Sequence, residues 1–240
     1  MALRRDDIGF GGYTLLQDDE AFCYGVDAVL LADMAAASEK DRVMDLGTGN
    51  GIVPLIMHAR YSPREIIGLE AQKSAFELAQ MNAADNHIEE CVKFVNLDVL
   101  DVRSRFEPES FTLVTSNPPY TEKGRGIPGA NSSVYMARHE TTASLADFVS
   151  AAAWLLSEGG RFCMVHRPSR LADIIQSCRE NRLEPKKLRM VAPHAGEAAN
   201  IVLIECVKGG GKELKVLPEL ILRNSDGSYT QETEKVYCRL

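Results

Sequence analysis

The stretch "VMDLGTGNGIVPLI", residues 43–56, decides the fold of this 240-residue chain. It opens with apolar residues that suit a buried strand and closes with an apolar run that suits a helix, in which Pro54 is tolerable only in the first turn. Between them, glycines at 47, 49 and 51 let the backbone turn sharply and let a ligand approach closely. In doubly wound α/β proteins, ligands bind at the carboxyl ends of strands. This junction therefore predicts a binding site as well as a fold.

Strand and helix patterns alternate outward from this junction, which indicates a mostly parallel sheet covered on both faces. "DAVLLADMAA" reads as a helix capped by Asp27, and Ser144 with Asp147 resembles a capping box for a helix over 145–156. Only a five-residue loop separates the two last strong strand patterns, so one strand near the edge should run antiparallel. We predict an α/β, doubly wound, mostly parallel seven-stranded sheet with one antiparallel strand near its edge. The strand patterns are "RVMDLG", "REIIGLE", "VKFVNLD", "FTLVTS", "GGRFCMVH", "KKLRMVAP" and "ANIVLIECVK".

No linker or repeat divides the chain, so we predict one domain over 1–240. Its parts are an N-terminal segment and helix (1–44), a core (45–210) and a C-terminal extension (211–240).

The composition is that of a soluble globular protein, with 45% hydrophobic and 25% charged residues. The first ten residues lack the apolar run of a signal peptide, and the longest apolar stretch is too short to span a bilayer. The six cysteines include no C-x-x-C pair, which gives no sign of a zinc site. We expect a cytoplasmic protein with no membrane partner and no metal.

The net charge of −7 argues against a wholly basic nucleic-acid binder. Residues 161–190 nevertheless hold eight Lys or Arg against three acids. Such a local excess of five positive charges can steer an anion, although a solvated helix face would give the same pattern.

Acidic residues lie at the ends of three successive predicted strands. Asp45 beside the glycines would repel a pyrophosphate, so it suits a cationic or amino-bearing ligand better. Glu70, 25 residues later, could accept both hydroxyls of a ribose, and Asp98 could accept from an adenine amino group.

This arrangement resembles the class I S-adenosylmethionine-dependent methyltransferases, which have a Rossmann-like fold. Asp45 to Gly51 match the family's first motif, Glu70 the second and Asp98 the third. The resemblance implies that the loop, with Gly47, Thr48, Gly49 and Gly51, holds the methionine part of the cofactor. It also implies that Glu70 holds the ribose, that Asp98 reads the adenine, and that S-adenosylhomocysteine is the product.

The tetrapeptide "NPPY", Asn117, Pro118, Pro119 and Tyr120, ends the fourth strand pattern and resembles the family's motif for methylation of planar exocyclic or amide nitrogens. The lone pair of such a nitrogen is delocalised, so it is a poor nucleophile. The carboxamide oxygen of Asn117 and the carbonyl of Pro118 can accept its two N–H protons, which favours a lone pair aimed at the methyl donor. Tyr120 can stack on the flat target. We expect its ring to matter and its hydroxyl to matter little.

The opening segment "GGYTLLQDDEAFCYGVDAVLLADMA", the segment "YMARHE" and the tail around "LPELIL" resemble those of bacterial tRNA methyltransferases that modify N6 of the adenine beside the anticodon of a valine tRNA. This resemblance runs over nearly the whole chain. The resemblance implies a tRNA partner, and we expect Lys123, Arg125, Arg167 and Arg170 to contact it; the sequence leaves a monomer or a weak dimer open.

Three alternatives stay open. Glutamine N5-methylation of release factors uses the same tetrapeptide, but those enzymes usually carry a helical domain before the first motif, and only 44 residues precede Asp45. Guanine N2-methyltransferases of ribosomal RNA commonly have Phe at the position of Tyr120. A non-catalytic S-adenosylmethionine-binding RNA module is a third possibility, against which the intact NPPY argues. Labelled methyl incorporation into RNA or into protein separates these alternatives.

Overall fold

The computed structural model describes residues 3–18, 25–120 and 143–237. Within these ranges the strands are β1 (Leu3–Asp7), β2 (Thr14–Asp18), β3 (Arg42–Leu46), β4 (Glu65–Glu70), β5 (Val92–Asn96), β6 (Phe111–Ser116), β7 (Leu156–His166), β8 (Leu183–His194), β9 (Ile201–Lys208), β10 (Lys215–Val216) and β11 (Leu220–Arg223). The α-helices are α1 (Val26–Ala35), α2 (Ile52–Tyr61), α3 (Lys73–Asp85), α4 (Val102–Arg105), α5 (Leu145–Leu155), α6 (Leu171–Glu180) and α7 (Gln231–Val236). Short 3₁₀ turns at Val99–Asp101 and Pro168–Arg170 precede α4 and α6.

Nine strands form one sheet in the order β10–β8–β9–β7–β6–β3–β4–β5, with β11 also paired to β8. β9 runs antiparallel to both β7 and β8, whereas β3 pairs in parallel with β4 and β6. The strand order reverses beside β3, because β4 and β5 lie on one side of it and β6 and β7 on the other. The predicted mostly parallel seven-stranded sheet with one antiparallel strand near its edge is therefore confirmed. The short strands β10 and β11 extend it along the outer side of β8.

Apolar side chains alternate between the two faces of the sheet, so the sheet has a core on each side. Val43 of β3 packs in the core under α1 and α2, and its neighbour Met44 packs in the core under α5 and α6. The Ser144–Asp147 capping box is present at the start of α5. At α1, however, Gly25 occupies the N-cap position and makes no side-chain cap; Asp27 lies in the first turn. The prediction that Asp27 caps this helix is wrong, because its carboxylate bonds elsewhere.

The hairpin of β1 and β2 has no counterpart among the predicted strands. An asparagine of α3 and the asparagine that follows α3 hold it by bonding to the main chain of β2. The side chain of Asn82 bonds to both the N–H (2.6 Å) and the C=O (3.1 Å) of Leu16, and that of Asn86 does the same at Thr14 (2.8 and 2.7 Å). The second amide hydrogen of Asn82 reaches the carbonyl of Asn50 in the glycine loop at 2.9 Å. The hairpin is thereby tied to the loop that follows β3.

Candidate active site

A cleft of about 310 Å³ opens at the carboxyl ends of β3, β4, β5 and β6, beside the point where the strand order reverses. The structure brings most of the predicted site residues together here. Those that line it are Asp45, Gly47, Thr48, Gly49, Glu70, Asp98, Asn117, Pro118, Pro119 and Tyr120.

The glycine loop has the backbone conformation that its sequence requires. Gly47, Gly49 and Gly51 have φ of 70°, 58° and 85°, values that L side chains rarely adopt. A Cβ on Gly49 would meet no atom within 4 Å, so the backbone there is open to a ligand. Gly51 has another role, because a Cβ there would lie 2.7 Å from the ring of Phe94. This glycine lets the start of α2 pack closely and does not line the cleft.

Asp45 is buried at the end of β3, where Thr115 of β6 donates a hydrogen bond to its Oδ1 at 2.7 Å. Burial raises the pKa of Asp45 to about 6, against the hydrogen bonding that lowers it, and the negative charge of Glu70 adds to the rise. A cationic group in the cleft would oppose the effects of burial and of the Glu70 charge, and would thereby lower the pKa of Asp45. Thr48 Oγ1 is also buried; it helps to lower the pKa of Asp45, and within the described residues it makes no well-formed hydrogen bond.

Glu70, the last residue of β4, is held by main-chain donors. The N–H of Gly49 donates to its Oε2 and the N–H of Gln72 to its Oε1, each at 2.8 Å. Burial raises its pKa, and these backbone hydrogen bonds oppose the rise. Each carboxylate oxygen has more than one lone pair, so acceptor capacity remains for a diol in the cleft.

Asp98 lies two residues beyond the end of β5 and caps the 3₁₀ turn, where its Oδ1 accepts from the N–H of Leu100 at 3.0 Å. The position of Asp98 is therefore fixed by the local 3₁₀ turn and not by β5. The carboxylate still lines the cleft beside Leu97 and Val99.

The NPPY segment follows β6 directly and lies on the other side of the cleft. The hydroxyl oxygen of Tyr120 is 2.6 Å from Asp27 Oδ2 and 2.9 Å from Asn117 Oδ1. Asp27 also lines the cleft. As a site residue it was missed, because only the packing of α1 against the carboxyl edge of the sheet brings it to Tyr120. In the sequence it has the pattern of a helix cap.

Two residues at the end of β7 surround the ring of Tyr120. The ring centroids of Tyr120 and His166 are 5.0 Å apart, and the guanidinium carbon of Arg167 lies 5.1 Å from the Tyr120 centroid. Burial lowers the pKa of His166 to about 4, helped by the charge of Arg170, so its ring is neutral near pH 7. The N–H of Arg167 donates to Nδ1 of His166 at 2.7 Å, which leaves the proton of the neutral ring on Nε2.

Most of the basic residues of 161–190 are paired with acids, and the paired residues do not line the cleft. Arg167 and Arg170 lie at the carboxyl end of β7, and Arg170 contacts Asp173 at 2.6 Å. The predicted contacts Lys123 and Arg125 lie outside the described residues. The pairs elsewhere are Arg161–Glu205, Arg179–Glu184, Arg182–Glu158, Lys187–Glu205 and Arg189–Glu232.

The fold is shared with solved methyltransferases. A predicted O-methyltransferase from Agrobacterium tumefaciens superposes with a TM-score of 0.73 at 23% identity, over 88% of this chain and 95% of that one. A ribosomal protein L11 methylase from Lactobacillus delbrueckii superposes with a TM-score of 0.54 at 17% identity, over 76% and 78%. These likenesses show a Rossmann-like methyltransferase fold, as the sequence predicts.

Residues 13–180 match the methyltransferase small domain family, and the chain belongs to that family. A relative from Porphyromonas gingivalis (strain W83), 30% identical over 79% of this chain and 76% of its own, is named tRNA1(Val) (adenine(37)-N6)-methyltransferase. A relative from Dickeya chrysanthemi with the same name is 28% identical over 95% and 91%. The predicted enzyme class, an S-adenosylmethionine-dependent methyltransferase, is confirmed. Within the described residues, no helix is long and apolar enough to cross a membrane.

Proposed function

We propose that this enzyme transfers a methyl group from S-adenosylmethionine to the exocyclic N6 of an adenine in tRNA, at position 37 of a valine tRNA. The observation that carries the proposal is that the three acids at the ends of β3 to β5 and the NPPY segment after β6 line the same cleft. The names of the relatives point to the same base and the same tRNA. The chain would act as a single catalytic domain over 1–240.

The residues of the β3 to β5 side fit the proposed cofactor. Its ammonium and sulfonium charges suit a site next to buried Asp45, and its ribose diol suits the spare acceptor capacity of Glu70. Gly49 gives backbone access, and the Thr48 hydroxyl is a buried polar group that a ligand could satisfy. We assign Asp98 to the adenine amino group. Bound there, the cofactor supplies an activated methyl group that needs no covalent enzyme intermediate.

The NPPY segment would prepare the target nitrogen. Asn117 Oδ1 and the carbonyl of Pro118 accept the two N–H protons of the amino group, so its lone pair turns toward the donor side of the cleft. Pro118 and Pro119 hold that carbonyl outside the strand ladder, since neither residue has an N–H to continue it. Arg167 covers part of the Tyr120 ring. We assign the Tyr120 ring to stacking on the flipped base.

Arg167 brings positive charge next to Tyr120, which suits a contact to a phosphate of the anticodon loop. Arg170, which contacts Asp173, stays a predicted RNA contact. Lys123 and Arg125 stay predicted RNA contacts.

Labelled methyl transfer tests the proposal. The purified enzyme, with methyl-labelled S-adenosylmethionine, is given unmodified valine tRNA transcript, ribosomal RNA or peptide-release factor in separate reactions, and the products are digested. We expect label in the tRNA alone, as N6-methyladenosine at position 37. Label on a release-factor glutamine or on a guanine of ribosomal RNA would overturn the substrate assignment. A transcript with guanine in place of adenine 37 is the control and should take up no label.

A further inference from the structure

The Tyr120 hydroxyl lies between two acceptor oxygens that come from distant parts of the chain. Its oxygen is 2.6 Å from Asp27 Oδ2 and 2.9 Å from Asn117 Oδ1, and 93 residues separate Asp27 from Tyr120. A phenol has one proton, so it cannot donate to both oxygens at once. Both contacts can therefore be hydrogen bonds only if one of the two acceptor oxygens is replaced by a donor.

The proton belongs on the side of Asp27. A hydrogen bond to a carboxylate is roughly twice as strong as one between neutral groups, and this is also the shorter of the two contacts. The lone pairs of the Tyr120 oxygen then face Asn117, and a carboxamide can satisfy a lone pair only with its NH₂ group. A half-turn of the terminal amide exchanges its oxygen and nitrogen with almost no change of shape. After that turn, Nδ2 of Asn117 donates to Tyr120.

We infer that Asp27 is a positioning residue that acts through the Tyr120 hydroxyl on the amide of Asn117. The inference rests on the proposed function. With its Nδ2 engaged by Tyr120, Asn117 turns Oδ1 away from that hydroxyl and toward the cleft, where the target amino group has to be accepted. Asp27 itself need touch neither the base nor the methyl group.

The role of the Tyr120 hydroxyl can be tested apart from the role of its ring. His166 and Arg167 contact the aromatic ring, so a phenylalanine at this position keeps both ring contacts. The inferred link from Asp27 to Asn117 gives the Tyr120 hydroxyl a role, in place of the sequence-based expectation that the hydroxyl matters little. Tyr120→Phe removes the link between Asp27 and Asn117 and leaves the stacking surface in place.

A double-mutant cycle tests the inference. Single-turnover methylation of the valine tRNA transcript is measured at saturating cofactor and tRNA for Asp27→Asn, Tyr120→Phe and the double variant. Each single change should lower the rate by roughly tenfold to a hundredfold, the range for one hydrogen bond to a charged group. The double variant should be no slower than the slower single variant, since both changes break one chain of bonds. Cofactor affinity, measured by calorimetry, should stay within about twofold of the parent.

Asp33→Asn is the matched control. It removes a carboxylate from the same helix, where Asp33 contacts Arg60 at 2.8 Å, and should leave the rate at the parental value. Losses that multiply in the double variant would overturn the inference, because independent roles combine in that way. A large fall in cofactor affinity with Asp27→Asn and an unchanged rate at saturation would also overturn it, by making Asp27 a cofactor ligand.

A readout without substrate separates this inference from the proposed function. In ¹⁵N-labelled protein, the side-chain amide signals of Asn117 are identified by their loss in Asn117→Ala. If Nδ2 donates to Tyr120, its hydrogens should exchange with solvent about tenfold or more faster in Tyr120→Phe. Equal exchange in both proteins would overturn the positioning role, whatever the enzyme methylates. Slower exchange in the parent, together with no methylation of tRNA, would leave the positioning role standing and reject the proposed substrate.

Discussion

In the half of the cleft formed by β3, β4 and β5, Glu70 and Asp98 accept from nearby main-chain N–H groups, and only Asp45 accepts from a side chain, that of Thr115 on β6. In the half formed by β6 and β7, side chains are held by other side chains from distant elements. Glu70 accepts from the N–H groups of Gly49 and Gln72, whereas Tyr120 contacts Asp27 of α1 and His166 of β7. A half built on main chain is preorganised by the fold itself. A half built on side-chain contacts can be altered by single substitutions that leave the fold intact.

The largest effect is expected from Asn117→Ala, which removes one of the two acceptors proposed for the target amino group. Loss of one preorganised partner typically lowers kcat by about a hundredfold or more. Cofactor affinity should hardly change, because this residue belongs to the β6 to β7 half. Steady-state methylation and calorimetry check the two expectations. Asn181→Ala, at the end of α6, is the control and should behave as the parent.

Glu70→Ala should act on the other half. It removes the acceptors proposed for the ribose hydroxyls, so cofactor binding should weaken by about 1–3 kcal/mol, the range for hydrogen bonds to a charged group. Calorimetric titration with S-adenosylhomocysteine measures this directly. Glu77→Ala on α3 removes an exposed carboxylate paired with Lys73 and is the control. Equal affinities for the Glu70→Ala and Glu77→Ala proteins would refute the role given to Glu70.

Asp45→Asn should stabilise the unliganded protein at neutral pH and weaken cofactor binding. The folded protein holds the Asp45 proton more tightly than the unfolded chain, since folding raises its pKa from 3.8 to about 6. The resulting stability is present below 3.8 and is lost as the pH rises through about 6. At pH 7.5, Asp45→Asn should therefore raise the free energy of unfolding by about 1–3 kcal/mol. Urea unfolding at pH 4.5 and 7.5 tests this, and a pH-independent difference would contradict it.

The smallest effect concerns tRNA affinity. Arg167→Gln should weaken tRNA binding and reduce the slope of log affinity against log salt concentration by about 1, as expected for one phosphate contact. Arg179→Gln removes the same charge from the same basic stretch, but Arg179 is paired with Glu184 and should leave the slope unchanged. Filter binding between 50 and 200 mM salt compares them. Identical slopes for the Arg167→Gln and Arg179→Gln proteins would contradict a phosphate contact at Arg167.

The same contrast explains what the sequence could predict. The glycine loop, the acids at the ends of β3 to β5 and the NPPY segment are local signals, because each can be recognised from a few adjacent residues and the alternation of one strand. The Asp27–Tyr120 contact could not be predicted, since it depends on where the first turn of α1 lies against the carboxyl edge.

The hairpin of β1 and β2 was missed for a related reason. Its first strand, "LRRDD", has no apolar alternation, and the hairpin depends on Asn82 of α3 and on Asn86, the residue after α3. In the sequence these two asparagines look like ordinary helix positions. The charge count over 161–190 could not show which positive charges are paired, because Arg161, Lys187 and Arg189 contact acids that lie far away in the sequence.

Single-turnover methylation of the valine tRNA transcript as a function of cofactor concentration, for Asn117→Ala and Glu70→Ala side by side, tests the division between the two halves most directly. We predict that the Glu70→Ala enzyme approaches the parental rate once the cofactor saturates it. The Asn117→Ala enzyme should saturate at the parental cofactor concentration and stay about a hundredfold or more slower. An Asn117→Ala enzyme that methylates adenine at the parental rate under saturation would contradict the account.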